Sequence, residues 1–174
     1  MICLINTTSR RENSMKMIKA LILAVAISVP MSVFAQVTDD EQVVYTEALR
    51  DGNVKVVKKF LDTDAGVNDV YFGWCALQIA ANKGQLEVVK LLIDRGANID
   101  YQHPISKNTA LHLAALSNHP EVVEYLISKG ADVNIKLRAG VSIIRPLRDE
   151  GNTKMIELLL AAGTKEEGCE GQCF

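Results

Sequence analysis

The sequence lacks an excess of basic residues, has few aromatics and carries no catalytic signature. Its 19 Lys and Arg stand against 21 Asp and Glu, a formal net charge of −2. No basic stripe is available to neutralise phosphates, which argues against nucleic acid as a partner. No G-x-S-x-G elbow, P-loop, H-E-x-x-H pair or glycine-rich fingerprint occurs. Of the three histidines, His103 and His119 have no carboxylate or cysteine at a telling spacing, and acidic pairs such as Glu166-Glu167 read as solvated charge. The expectation is a protein that is not an enzyme and holds no cofactor or metal. What is present is an ordinary globular composition, 48% apolar and 23% charged, far from that of a disordered chain. A length of 174 residues suits one domain or a small pair.

The most apolar stretch, Ala20 to Val33, is preceded by Lys16 and Lys19 and closed by Val33-Phe34-Ala35. A positive start, a short apolar core and a small residue at the cut describe a secretory signal. The competing reading is a membrane anchor, but the run is short for a spanning helix and is interrupted by Pro30. Cleavage is expected after Ala35, with Met15 or Met17 as alternative translation starts. Ser9-Arg10-Arg11 is a weak match to a twin-arginine signal, because Glu12 and Asn13 follow where apolar residues are wanted. The signal resembles those of Gram-negative bacteria, which implies a periplasmic or secreted product with no membrane attachment. Without residues 1–35 the chain holds 15 basic and 20 acidic residues, a net of −5.

Self-similarity organises the remainder. The segment Ala76 to Asp100 recurs one period later, from Ala110 to Asn134. A third copy, Gly151 to Gly163, follows at nearly the same offset, and an eroded copy from Ala48 to Asn68 precedes them. The period is about 33 residues, within the range of stacked repeat architectures. Val88, Val89, Leu92 and Ile93 are spaced as one apolar helix face. Gly96 and Gly130 follow such helices where a left-handed residue is wanted. The shorter segments before Gly84 and Asn118 are Ala-rich helices that allow close approach. Each unit is a helix, a turn, a helix and a loop that cannot bury its apolar face alone, so the units must stack.

Thr109-Ala110-Leu111-His112-Leu113-Ala114-Ala115 resembles the ankyrin motif T-P-L-H-x-A, and Gly130-Ala131-Asp132-Val133-Asn134 resembles the loop that follows it. The resemblance implies an all-α solenoid of about four helix-turn-helix units with finger loops. The expected repeats are 40–69, 70–103, 104–136 and 137–165, after a linker at 36–39 and before a tail at 166–174. In that family the Thr–His pair ties each turn to its neighbour, here Thr109 and His112. Cys75 and Gln78 replace the pair in the second repeat and Ser142 and Arg145 in the fourth, so only the third is expected to have it complete. Pro146 should leave the fourth repeat's first helix short or late. Lys58 and Lys59 give the first repeat a polar outer side, as a terminal cap requires.

The resemblance also implies binding of another protein by a monomer, through finger loops and the exposed side of each first helix. Carried onto this chain, the contact positions are Tyr71, Phe72, Trp74, Asn82 and Lys83 in the second repeat. Ile105, Ser106, Asn108, Leu116 and Ser117 follow in the third, then Arg138, Val141, Asp149 and Glu150 in the fourth. Arg50 and Asp51 are the positions in the first. Tyr71-Phe72-Gly73-Trp74 concentrates three aromatics in four residues, as interface hot spots do. The competing reading has Tyr71 or Phe72 fold back over the gap between repeats one and two. The loop from Tyr101 to Lys107 is one residue longer than usual and is either a second fingertip or simple variation. A sharper variant of this function is an inhibitor or immunity-type protein that masks an exported toxin or enzyme.

Three cysteines remain after cleavage. Cys169 and Cys173 could close a small disulfide, stay free, or serve metal or redox chemistry, the last making an oxidative-stress accessory the rival function. Cys75, at a helix start, reads as a buried free thiol.

Overall fold

A computed structural model describes residues 39–63, 66–71 and 73–165, all within one compact unit, Val37–Phe174. The signal segment, Phe72 and the Cys169–Cys173 tail lie outside the described residues. Eight helices occur there in four successive pairs: α1 (Asp39–Asp51) with α2 (Val54–Leu61), α3 (Ala76–Asn82) with α4 (Leu86–Asp94), α5 (Ala110–Leu116) with α6 (Pro120–Ser128), and α7 (Ile144–Asp149) with α8 (Thr153–Ala161). One antiparallel hairpin, β1 (Val70–Tyr71) and β2 (Trp74–Cys75), precedes α3 and pairs Val70 with Cys75 and Tyr71 with Trp74. The architecture is an all-α repeat stack. No described helix is long and apolar enough to cross a membrane.

The stack forms because each pair has one side built to be covered. Ala80, Ala81, Ala114 and Ala115 are fully buried, and their missing bulk lets α3 and α5 approach each other closely. Outer helices α4 and α6 contribute Val88, Val89 and Leu92, then Val122, Val123 and Leu126, all buried in one continuous core. Within each pair the chain reverses through a left-handed residue: Gly52, Gly84, Asn118 and Gly151 have φ of 76°, 70°, 57° and 72°. Asn is the side chain that best tolerates this region. At position 118 it also accepts a hydrogen bond from Asn152 Nδ2 at 3.1 Å.

Successive units are joined at both ends. On the turn side, Gln85 Nε2 donates to the carbonyl of Arg50 at 2.7 Å, and His119 Nε2 lies 3.3 Å from the carbonyl of Asn82. Gln85 and His119 occupy helix N-cap positions but make no side-chain cap, because their polar atoms are used between repeats. Asn53, at the matching position of the first pair, caps its own helix and accepts from the Val56 amide. On the loop side, Asn68 Oδ1 accepts from the Asn98 amide at 2.7 Å, Asp100 Oδ1 from Asp132 at 3.0 Å, and Asn134 Oδ1 from Lys165 at 2.9 Å. A side-chain ladder of this kind satisfies backbone groups that the helices leave orphaned.

The ends depart from the middle. Lys58 and Lys59 are exposed, as the cap reading expects, but Val43, Val44 and Leu160 are also open to solvent. Helix α7 has six residues against seven in α3 and α5. Pro146 sits in its first turn, where a missing amide does least harm. The bond from Leu147 N to Ile143 O is stretched there to 3.5 Å.

Candidate partner-binding surface

The Thr–His motif has a local cause and a long reach. Thr109 Oγ1 accepts from the His112 amide at 3.3 Å, and His112 Nδ1 accepts from the Thr109 amide at 3.1 Å. With Nδ1 accepting, Nε2 carries the proton and donates to the Ile135 carbonyl, 3.1 Å away in the next loop. The ring has no exposed surface. Burial pushes its pKa down to about 4, which the bond to Ile135 only partly opposes.

The Thr–His pair is complete only in the third repeat, as expected, but the second makes an equivalent tie from other residues. Gln78 Oε1 accepts from the Cys75 amide at 3.2 Å, and Gln78 Nε2 donates to the carbonyls of Tyr101 and Asn108 at 3.3 and 2.8 Å. A primary amide has one acceptor and two donors, so it reproduces the imidazole pattern without titrating. In the fourth repeat only a remnant survives: Ser142 Oγ donates to the Lys165 carbonyl and accepts from the Ile144 amide, each at 3.4 Å. Cys75 is a buried free thiol, and burial raises its pKa, which keeps it unreactive.

Of the aromatic run, Tyr71 and Trp74 are described, and their rings meet different neighbours. Successive strand residues face opposite ways. Val70 is exposed while Tyr71 turns inward at 4% exposure. The Tyr71 ring meets Tyr45 of α1 edge-on at 5.1 Å, and Tyr45 in turn meets Phe60 of α2 at 5.0 Å. Tyr71 therefore closes the gap between the first two repeats. It packs between the repeats and also borders the groove described below.

Both tyrosine hydroxyls are buried without a hydrogen-bond partner. Burial raises both pKa values and keeps the groups protonated. Removing the Tyr45 hydroxyl is expected to relieve this cost. Tyr45→Phe should be more stable by about 1 kcal/mol in urea denaturation.

Trp74, paired with Tyr71 across the hairpin, reaches a different neighbour. Its half-buried ring stacks on His103 of the following loop, centroids 4.4 Å apart and planes at 32°. His103 is fixed in turn, because Nδ1 accepts from the amides of Ile105 and Ser106 at 3.3 and 3.1 Å, and its own amide donates to Asn108 O. The long loop is thus a rigid turn that supports the Trp74 ring and lifts Ile105 to 71% exposure.

Behind Trp74 a groove of about 450 Å³ runs between α1 and α3. Helix α1 supplies Val43, Thr46, Glu47 and Arg50, the hairpin supplies Tyr71 and Trp74, and α3 supplies Gln78, Ile79 and Asn82, with Lys83 at its end. Five of these, Arg50, Tyr71, Trp74, Asn82 and Lys83, are positions that the family resemblance implies. Val43, Thr46 and Glu47 are additions from the structure, although their helical spacing from Arg50 puts them on its face of α1.

Other expected contacts scatter. Ser117 Oγ donates to Asn82 Oδ1 at 2.8 Å, which leads the surface from the groove toward α5, where Leu116 packs partly on the core. Ser106 Oγ accepts from the Asn108 amide and so shapes the turn. Arg138 is exposed on a short 3-10 turn (Arg138–Gly140), and Val141 is half-buried beside it, its carbonyl accepting from the Leu137 amide. Asp51, Asp149 and Glu150 are exposed but do not line the groove.

Comparison with known proteins agrees with the stack. A family model described as "Ankyrin repeats (3 copies)" matches residues 46–136, more than half of the sequence. The chain belongs to the ankyrin-repeat family. Among the curated relatives of this ankyrin-repeat chain is "Ankyrin repeat, SAM and basic leucine zipper domain-containing protein 1" of Ovis aries. It is 34% identical over 64 residues, which is 36% of this chain and 14% of the relative. The protein of the same name from Loxodonta africana is 32% identical over 75 residues, 42% of this chain and 15% of the relative. The chain thus spans about one-seventh of the length of these relatives. The match stops at 136, before the α7–α8 pair, whose motif positions hold Ser142, Arg145 and Pro146.

Proposed function

We propose that this ankyrin-repeat chain is a protein-docking module that receives its partner in the α1–α3 groove and along the fingers beside it. Ankyrin repeats are in general protein interaction modules, and the observation that carries the reading here is the preordered wall. Trp74 is held against His103, and His103 is held by two backbone amides, before any partner arrives. Little entropy remains to be lost on docking, so a small apolar surface suffices. Val43 at 44% exposure and the half-buried Ile79 extend that surface on either side. We place the module in the periplasm or another secreted compartment, on the charged start and apolar core of residues 16–35.

Val43→Arg fills the groove, whereas Lys154→Glu alters the exposed outer helix α8. Proteins captured from the source cell's extract by the unaltered chain should be lost with the first variant and kept with the second. The reverse pattern would move the binding surface to the outer helices. Cell fractionation, with sequencing of the mature amino terminus, checks the compartment and should find the chain starting at Gln36.

A further inference from the structure

The groove has a charge pattern that the chain as a whole does not share. Arg50 in the last turn of α1 and Lys83 at the end of α3 line it, with Glu47 as its single acid. The groove therefore carries a formal charge of +1, where the chain carries −2. Neither Arg50 nor Lys83 belongs to an ion pair among the described residues, whereas Lys90 pairs with Glu87 and Arg95 with Asp62. The ends of α1 and α3 also concentrate partial negative charge, which favours cations there without using their N–H groups. Trp74, Ile79 and Val43 provide apolar surface within the same cavity.

We infer that the occupant of the groove is an acidic peptide segment, with an aliphatic or aromatic side chain against Trp74 and a neighbouring carboxylate between Arg50 and Lys83. The inference rests on the docking reading above and specifies its partner. A planar guanidinium and an ammonium with free donors suit a carboxylate. A basic segment would meet two like charges, and a purely apolar one would leave both cations facing it unpaired. The volume accommodates a few side chains.

Trp74 is the one tryptophan in the chain, so its emission reports the groove alone. The test titrates the full chain with three acetylated, amidated decapeptides. One alternates Glu and Asp with Leu and Phe, the second has Gln and Asn in place of the acids, and the third has Lys in place of them. The acidic peptide should shift the emission saturably, and Arg50→Gln with Lys83→Gln should weaken it about tenfold, the scale of two partly screened charge pairs. Added salt should weaken it as well, while Glu47→Gln should not. Urea melts confirm that the variants remain folded.

Equal or tighter binding of the neutral or basic peptide overturns the inference. So does a concentration-dependent shift without peptide, which would make a second copy the occupant. If no peptide shifts Trp74 but Val43→Arg still abolishes partner capture, the acidic segment is wrong and the docking reading stands. If Val43→Arg changes neither, both fall.

Discussion

Replacing His112 with alanine should cost about 4 kcal/mol of stability, because it strands the Thr109 amide and the Ile135 carbonyl at about 1–3 kcal/mol each. Glutamine at the same position should be nearly neutral at pH 7.5. Gln78 already performs this task one repeat earlier, accepting from the Cys75 amide and donating to two loop carbonyls. The two variants part company in acid. Burial depresses the His112 pKa from its ordinary value of 6.5 to about 4. Above pH 6.5 the ring is neutral in the folded and unfolded chain alike, and its contribution is complete. Between 6.5 and 4 only the unfolded chain binds the proton, so stability falls at up to about 1.4 kcal/mol per pH unit. Below 4 both states are protonated and the loss levels off. At pH 4.5 His112→Gln should therefore exceed the unaltered chain by about 2 kcal/mol. Every other ionisable group is common to both proteins, so the difference isolates His112. Urea denaturation at pH 7.5 and 4.5 measures it, and parallel losses in the two proteins would refute the assignment. Against a typical total of about 5–15 kcal/mol, the alanine variant is close to losing its fold.

How far the sequence can be read follows from the length of its patterns. The outer helices are plain because Val88, Val89, Leu92 and Ile93 repeat as Val122, Val123, Leu126 and Ile127, and such a face has one use in a stack. The reversals are plain where glycine marks them. At position 118 the same left-handed backbone is held by asparagine. The box at Cys75 and Gln78 is hidden because residue names differ while the hydrogen-bonding atoms agree. Tyr71 stays open to two readings for a different reason. Its short strand contains too little alternation to say which neighbour faces in, and the deciding partner, Tyr45, lies far back along the chain, beside the eroded copy. That erosion also hides the α1 side of the groove. Without a matching copy, Val43, Thr46 and Glu47 have no counterparts to point to them, and only helical spacing from Arg50 could do so. The charge pattern of the groove needs the fold outright, because Arg50 and Lys83 belong to different repeats and meet only through stacking.

The neighbouring aromatics Tyr71 and Trp74 should then separate stability from binding. Tyr71→Ala removes a ring that seals the first repeat to the second, leaving Tyr45 facing a void. A loss of about 3–5 kcal/mol is expected, as for other large-to-small changes in a core. Trp74→Ala loses a half-exposed stack on His103, worth about 1 kcal/mol. Binding should respond in the opposite order. A tryptophan that walls the groove is placed as a hot spot, where truncation costs about 2–4 kcal/mol, or about 30- to 1,000-fold in Kd. Tyr71→Ala, measured under conditions where it is still folded, should bind within a few-fold of the unaltered chain, because its ring presents only a buried edge to the partner. Urea melts of both variants, beside isothermal titration with the captured partner, give the two orders. A Trp74→Ala protein that melts early and binds normally would make the Trp74–His103 stack a packing device and remove the groove's main anchor.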